Sequence, residues 1–152
     1  MKQTDMQLKM TQDQVTMTKQ QMDSTMRPWI GPAPEGLKAD GKGLFIFNYH
    51  NYGQVPAEDI LFEFALSDER VERQNLLDKP VETSKHTILL PNESKYRKNT
   101  FDFEKRKPIG PSLFIGILIR YKYANARKGM YGARIEYKFA TGGIDYFDEW
   151  SE

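Results

Sequence analysis

Leu113-Phe114-Ile115-Gly116-Ile117-Leu118-Ile119-Arg120-Tyr121-Lys122-Tyr123, followed beyond a short loop by Tyr131-Gly132-Ala133-Arg134-Ile135-Glu136-Tyr137-Lys138-Phe139, decides the fold. In an extended chain successive side chains point to opposite faces, so apolar residues at every second position mark a strand. Leu113, Ile115, Ile117, Ile119, Tyr121 and Tyr123 share one face, and Tyr131, Ala133, Ile135, Tyr137 and Phe139 share one face of the next segment. Ala124 to Gly129 reads as the hairpin loop between them. The opposite face of the last segment, Gly132, Arg134, Glu136 and Lys138, is nearly all charged and is expected to meet water.

The same period recurs upstream. Phe45, Phe47 and Tyr49 alternate with Leu44, Ile46 and Asn48, and Ile60, Phe62, Phe64 and Leu66 alternate with Leu61, Glu63 and Ala65. Short strands are expected at His86 to Leu90 and Thr100 to Glu104, around the turn signal Pro91-Asn92-Glu93-Ser94. Trp29-Ile30 makes a short first strand that Gly31-Pro32-Ala33-Pro34 should interrupt, because proline has no amide for a ladder. Leu37 to Gly43 reads as a turn. In the polar connection Ser67 to Lys85, residues Val71, Leu76, Leu77 and Val81 fit either an edge strand or a helical turn. About seven short strands with turn signals between them predict an all-β protein: an antiparallel β-sandwich of immunoglobulin-like type rather than an α/β fold.

Residues 1–26 differ from the rest: they hold no glycine, proline or aromatic residue. Met1, Leu8, Val15 and Met22 recur every seven residues, with Thr4, Thr11, Thr18 and Thr25 at the other seam position. A stable coiled coil wants both seam positions apolar. The segment therefore reads as a polar α-helix, a stalk or linker whose weak seam offers a surface for self-association. Arg27-Pro28 ends it, since proline expels its predecessor from helical geometry. The expected organisation is a helical stalk over 1–26, the sandwich over 27–141 and an acidic tail over 142–152.

A chain of 152 residues accommodates one domain and an appendage. The longest apolar run, Leu113 to Ile119, falls far short of the roughly 20 residues that cross a bilayer as a helix, and the chain does not open on a signal-peptide pattern. Without cysteine there are no disulfides or thiolate ligands. The net charge of +1 is unevenly spread: residues 1–94 carry 10 basic and 14 acidic side chains, 95–138 carry 12 and 3, and 139–152 carry 0 and 4. A basic segment can serve a polyanion, or guard sheet edges against pairing.

No pattern points to catalysis. His50 and His86 lack partners at metal-ligand spacing, there is no Gly-x-Ser-x-Gly or phosphate loop, and Asp145, Asp148, Glu149 and Glu152 lack the glycine turn of a calcium loop. The expectation is a protein that is not an enzyme and uses no cofactor or metal. Two binding readings remain. Tyr49, His50, Asn51 and Tyr52 suit a protein-contact loop, because tyrosine supplies area at small entropic cost. Lys95, Arg97, Lys98, Lys105, Arg106, Lys107, Arg127 and Lys128 suit a polyanion. Nucleic acid is the less favoured partner, since alternation sends Tyr121 and Tyr123 inward while Arg120 and Lys122 point out.

The stretch Asn51-Tyr52-Gly53-Gln54-Val55-Pro56-Ala57 resembles the Asn-x-Gly-x-x-Pro-Ala strand ending of immunoglobulin-like modules in prokaryotic surface proteins, including bacterial cell-adhesion-related domains. Physically, Gly53 can take a positive φ and Pro56 fixes the exit. More broadly, Ser24 to Ile30, Asn51-Tyr52-Gly53, Leu90 to Ser94, Phe114-Ile115-Gly116 and Gly132 to Phe139 resemble uncharacterised prokaryotic proteins in which membrane helices lead through a polar helix into such a sandwich. The resemblance implies an adhesion-type module, membrane-tethered and outside the cytoplasm. This sequence departs from that group in having no membrane helix.

Overall fold

The computed structural model describes residues 9–14, 27–70, 72–77, 87–102, 110–124 and 127–152. Eight strands are present among them: β1 (Ile30–Ala39), β2 (Leu44–Asn51), β3 (Ala57–Ser67), β4 (Ile88–Leu89), β5 (Ser94–Thr100), β6 (Ser112–Tyr123), β7 (Arg127–Lys138) and β8 (Ile144–Ser151). They form two antiparallel sheets, three strands in the order β1-β2-β5 and five in the order β4-β3-β6-β7-β8. The chain is thus an all-β, two-sheet sandwich.

The alternation read in β6 and β7 holds residue by residue. Leu113, Ile115, Ile117 and Ile119 are fully buried, and Ile117 stands opposite Ala133 in an unbroken register from Ser112↔Lys138 to Tyr123↔Arg127. The three-stranded sheet presents Phe45, Phe47 and Tyr49 to this face. Phe45 meets Tyr137 edge-on at 5.1 Å, and Phe47 stacks on Tyr131 at 6.4 Å. Each such side chain contributes ~1.5–3 kcal/mol by leaving water, which fixes the two sheets face to face.

Several expectations need correction. The acidic tail expected over 142–152 is mostly strand: β8 pairs with β7 from Tyr131↔Ser151 to Tyr137↔Ile144, across a bulge between Arg134 and Ile135. Its carboxylates misled because one of them, Asp148, binds Arg73 and Arg134 on neighbouring elements, as described below. Pro32 and Pro34 do not end the first strand; β1 passes through them, and the register shift between Pro32 and Leu37 absorbs the missing donors. The turn after β1 is confined to Asp40–Gly43, where the Asp40 carboxylate accepts the Lys42 and Leu44 amides at 2.7 and 3.0 Å. The strand expected at Thr100 lies earlier, as β5, and β4 is only two residues long.

Of the connection after β3, the described residues include a five-residue helix, Arg73–Leu77, lying against β6 on the outer face of the five-stranded sheet; Val71 and Val81 lie outside the described residues. Leu76 on it and Leu118 on β6 are both fully buried, so this face carries a second, smaller core. Gly132 belongs to it as well: the Trp150 indole lies on its Cα, and a Cβ there would overlap the ring. The face expected to meet water is therefore half covered, and of its four residues only Lys138 is exposed.

Of the expected helix over 1–26, residues 9–14 are helical with exposed side chains; the remainder lies outside the described residues. No helix among the described residues is long and apolar enough to cross a membrane.

Candidate functional site

At one pole of the sandwich the chain enters through Arg27-Pro28, β2 leaves for β3, and β4 turns into β5. Asn51, fully buried, ties these three crossings together. Its Oδ1 accepts the Trp29 amide at 3.2 Å and the Gly53 amide at 2.9 Å, and its Nδ2 donates to the carbonyls of Val55 and Leu89 at 2.9 and 3.2 Å. Its own backbone closes the ring, with Asn51 N–H donating to Glu93 and Asn92 N–H donating to Asn51. A side-chain amide offers two donors and an acceptor with two lone pairs, and all four are used here. Gly53 is needed for a different reason from the one expected. It is not among the positive-φ glycines; instead the backbone of Arg27 to Trp29 passes so close that a Cβ would overlap it.

Of the four residues expected at a contact loop, two are structural. Tyr49 is buried with its ring 5.3 Å from Phe62, and burial pushes its phenol pKa up; Asn51 is the clasp. Strand alternation and a turn with its back to the core decide both. His50 and Tyr52 remain at the surface, their rings 4.4 Å apart. His50 bonds Ser94 Oγ at 2.6 Å and Asn92 Oδ1 at 3.2 Å, and Tyr52, 56% exposed, donates its hydroxyl to Pro32 O at 2.6 Å.

The clasp also gathers side chains that sequence reasoning passed over. Trp29 (42% exposed), Ile88 (50%) and Leu90 (51%) flank it, so with Tyr52 four of the six exposed large apolar residues of the described sandwich stand at this pole. The Arg27 guanidinium lies 4.1 Å above the Trp29 ring, a cation–π contact that holds the indole at the surface. The signal was present in Leu90-Pro91, an apolar residue beside a turn proline, but only the topology places it next to Trp29.

The residues expected to meet a polyanion fall into separate places. Lys95, Arg97 and Lys98 lie on β5, the edge of the three-stranded sheet. Lys95 is engaged, donating to Ile88 O at 2.7 Å and standing 3.5 Å from Glu93. Arg127 and Lys128 begin β7 in the other sheet, where Lys128 stands directly opposite Lys122. Lys105, Arg106 and Lys107 lie outside the described residues. Tyr121 and Tyr123 are buried while Lys122 is exposed, so the rings and the charges occupy different faces.

Two hollows accompany these groups. One, of about 410 Å³, lies between Leu61, Arg120, Lys122, Lys128 and Met130, with Asp59 and Glu152 at its rim. The other, about 290 Å³, opens between β3 and β5 and is lined by Phe62, Glu63, Phe64, Arg97, Lys98 and Asn99.

No family model, curated protein or solved structure matches this chain, so the functional reading rests on the geometry.

Proposed function

We propose that this chain is a non-catalytic protein-interaction or adhesion-type module of immunoglobulin-like build, displayed on a helical spacer and tethered outside the cytoplasm. The strand order supports the build: β1, β2 and β5 share one sheet while β3, β6 and β7 share the other, as strands A, B, E and C, F, G do in immunoglobulin-like sandwiches. β8 is then an addition beyond the seventh strand.

The observation that carries the binding reading is the cluster of Trp29, Tyr52, Ile88 and Leu90, exposed at one pole on a backbone that Asn51 pins. Aromatic and aliphatic side chains on a rigid frame lose little entropy on docking, which is what a contact surface requires. The test is a photocrosslinking amino acid placed at Tyr52 and, as a control at the opposite pole, at Thr141, in cells that produce the protein. A discrete protein adduct from position 52, absent from position 141 and lost in Leu90→Ser, is expected. Equal adducts from both positions, or none, would overturn the reading. A second reading, weak polyanion binding, is favoured by Lys122 facing Lys128 across β6 and β7, with Glu58 of β3 opposite Lys122 offsetting part of that charge. It predicts that a crosslinker at Lys128 captures nucleic acid, in adducts lost at physiological salt.

A further inference from the structure

We infer that the hollow around Arg120, on the outer face of the five-stranded sheet, is a binding site for a small amphipathic anion: a carboxylate or phosphate monoester carried on a flat apolar body. This goes beyond the readings above. It lies on a different face from the contact cluster at the pole, and it takes a small molecule where the second reading takes a polymer.

Register places the groups. Residues directly opposite one another on neighbouring strands share a face, so Leu61 of β3, Arg120 of β6 and Met130 of β7 stand in one row across the outer face. Glu152 ends that row beside Met130, to which two backbone bonds of 3.0 and 2.9 Å join it. One step nearer the pole, Glu58, Lys122 and Lys128 form the next row. Cations thus occupy the two central strands, and carboxylates stand on the strands to either side. Arg120 has apolar residues opposite it on both neighbouring strands, and Lys128 has Lys122 opposite it. Two strand spacings, about 10 Å, separate Arg120 from Glu152.

Arg120 is the anchor. It is half-buried, and its Nη2 donates at 2.7 Å to the carbonyl of Leu77, the last residue of the helix Arg73–Leu77. A guanidinium carries five N–H donors in a rigid fork. One carbonyl therefore fixes the group and leaves neighbouring donors for the two oxygens of a carboxylate or phosphate. Leu61 and Met130, to either side, offer apolar surface to the ligand's body, while Lys122 and Lys128 face its charge from the pole. The hollow, about 410 Å³ and lined by described residues, falls in the range of about 300–1,000 Å³ typical of small-molecule sites. Towards the middle of the sheet it is closed by the helix and by Trp150, which lies on Gly132. Asp59 and Glu152 bound it at the sides. Those carboxylates set the size of the ligand: a compact anion centred on Arg120 avoids them, whereas a polymer laid across the strands meets one at each side.

The test uses the full chain, labelled for amide and methionine-methyl NMR, in about 0.15 M salt so that diffuse charge attraction is screened. The probes are naphthoate and naphthyl phosphate, with acetate lacking the apolar body and naphthylmethanol lacking the charge. The two naphthyl anions are expected to shift the Met130 methyl and the Arg120 Nε–H resonance saturably, and the tighter of them names the headgroup. Each should bind on the order of tenfold more tightly than acetate or naphthylmethanol, since charge and body both contribute. Arg120→Gln should abolish saturable binding. Lys128→Glu, which leaves the Arg120 bond to Leu77 intact, should weaken it on the order of tenfold, and Lys138→Glu, at the exposed far end of β7, should leave it unchanged. No saturable shift with either anion, equal binding of acetate or naphthylmethanol, indifference to Lys128→Glu, or displacement of the probe by an equal concentration of oligothymidylate would each overturn the proposal. Shifts confined to Trp29 and Tyr52 would overturn it too, and would leave the contact surface at the pole standing.

Discussion

The inner and outer faces of the five-stranded sheet use the same strands, β6 and β7, and are held in different ways. The inner face is continuous hydrocarbon: Ile115, Ile117, Ile119, Ala133 and Ile135 are all fully buried against the other sheet. The outer face is closed by a few long-range anchors. Arg73 grips Asp148 through Nε at 2.7 Å and Nη2 at 2.5 Å, while Arg134, on the strand beside it, donates to the same carboxylate at 2.8 Å and reaches Glu72 at 3.4 Å. The guanidinium groups also cap the aromatic rings, Arg73 over Trp150 at 4.4 Å, and Arg70 and Arg134 over Phe147 at 4.6 and 5.1 Å. One shared carboxylate thus links the crossing helix, β7 and β8. The lesson is that charge on a strand face does not by itself mark a wet face, because long arginine side chains cover apolar surface with their stems and stack their planar heads on rings.

The inner face should break hardest. Ile117→Ala removes three methyl-sized carbons from a site without room to collapse, and is expected to cost about 2–5 kcal/mol in denaturant unfolding. Lys138→Ala, at the exposed end of the same pair of strands, should stay within about 0.5 kcal/mol; a larger loss there than at Ile117 would invert the assignment of faces.

On the outer face, Gly132→Ala sets a Cβ into the Trp150 indole and is expected to destabilise by about 1–3 kcal/mol, as overpacking does. If the contact is the cause, the penalty should largely vanish in a Trp150→Ala background, measured as a double-mutant cycle. A penalty that persists in that background would assign the requirement to the Gly132 backbone rather than to β8.

The smallest effect sharpens the comparison through pH. Hydrogen bonding from Arg73, and then from Arg134, holds the Asp148 carboxyl down at about 2 from its ordinary 3.8. The native state therefore binds its proton less readily than the unfolded chain does. This stabilisation is complete above about pH 4 and is lost as pH falls through 3.8 towards 2. Asp148→Asn should lower stability at neutral pH by about 1 kcal/mol and flatten that acid slope, and carboxyl NMR of Asp148 in Arg73→Ala should show its titration moved up. An unchanged titration would remove Arg73 from the anchor.

The same contrast divides what could be read in advance from what could not. Phe45, Phe47 and Tyr49 were legible because alternation is local: each residue's side follows from its neighbours'. The β8 segment was not, since Ile-Asp-Tyr-Phe-Asp-Glu-Trp-Ser has acidic residues at both parities, and their partners lie far away, Arg73 some 75 residues earlier. The pole was half legible. Its turn chemistry stood out at Asn51 to Pro56, but Tyr49 and Asn51 drew attention as contact residues when their work is internal, while Trp29, Ile88 and Leu90 drew none. The basic run beginning at Lys95 was visible as charge, but its splitting between one edge strand and residues elsewhere was not.

By itself the sequence determined the strand-forming segments of β2, β3, β6 and β7, the turns at Asp40-Gly41 and Pro91-Asn92, the core-facing sides of β2, β6 and β7 and the break at Arg27-Pro28, because period, proline geometry and turn propensity act over a few residues. Only the tertiary structure decided that β5 joins β2 while β4 joins β3, that 72–77 and β8 close the outer face, and that Asn51 is a clasp. Those outcomes depend on which distant groups can satisfy one another's hydrogen bonds and charges once the sheets have stacked, and no local pattern carries that information.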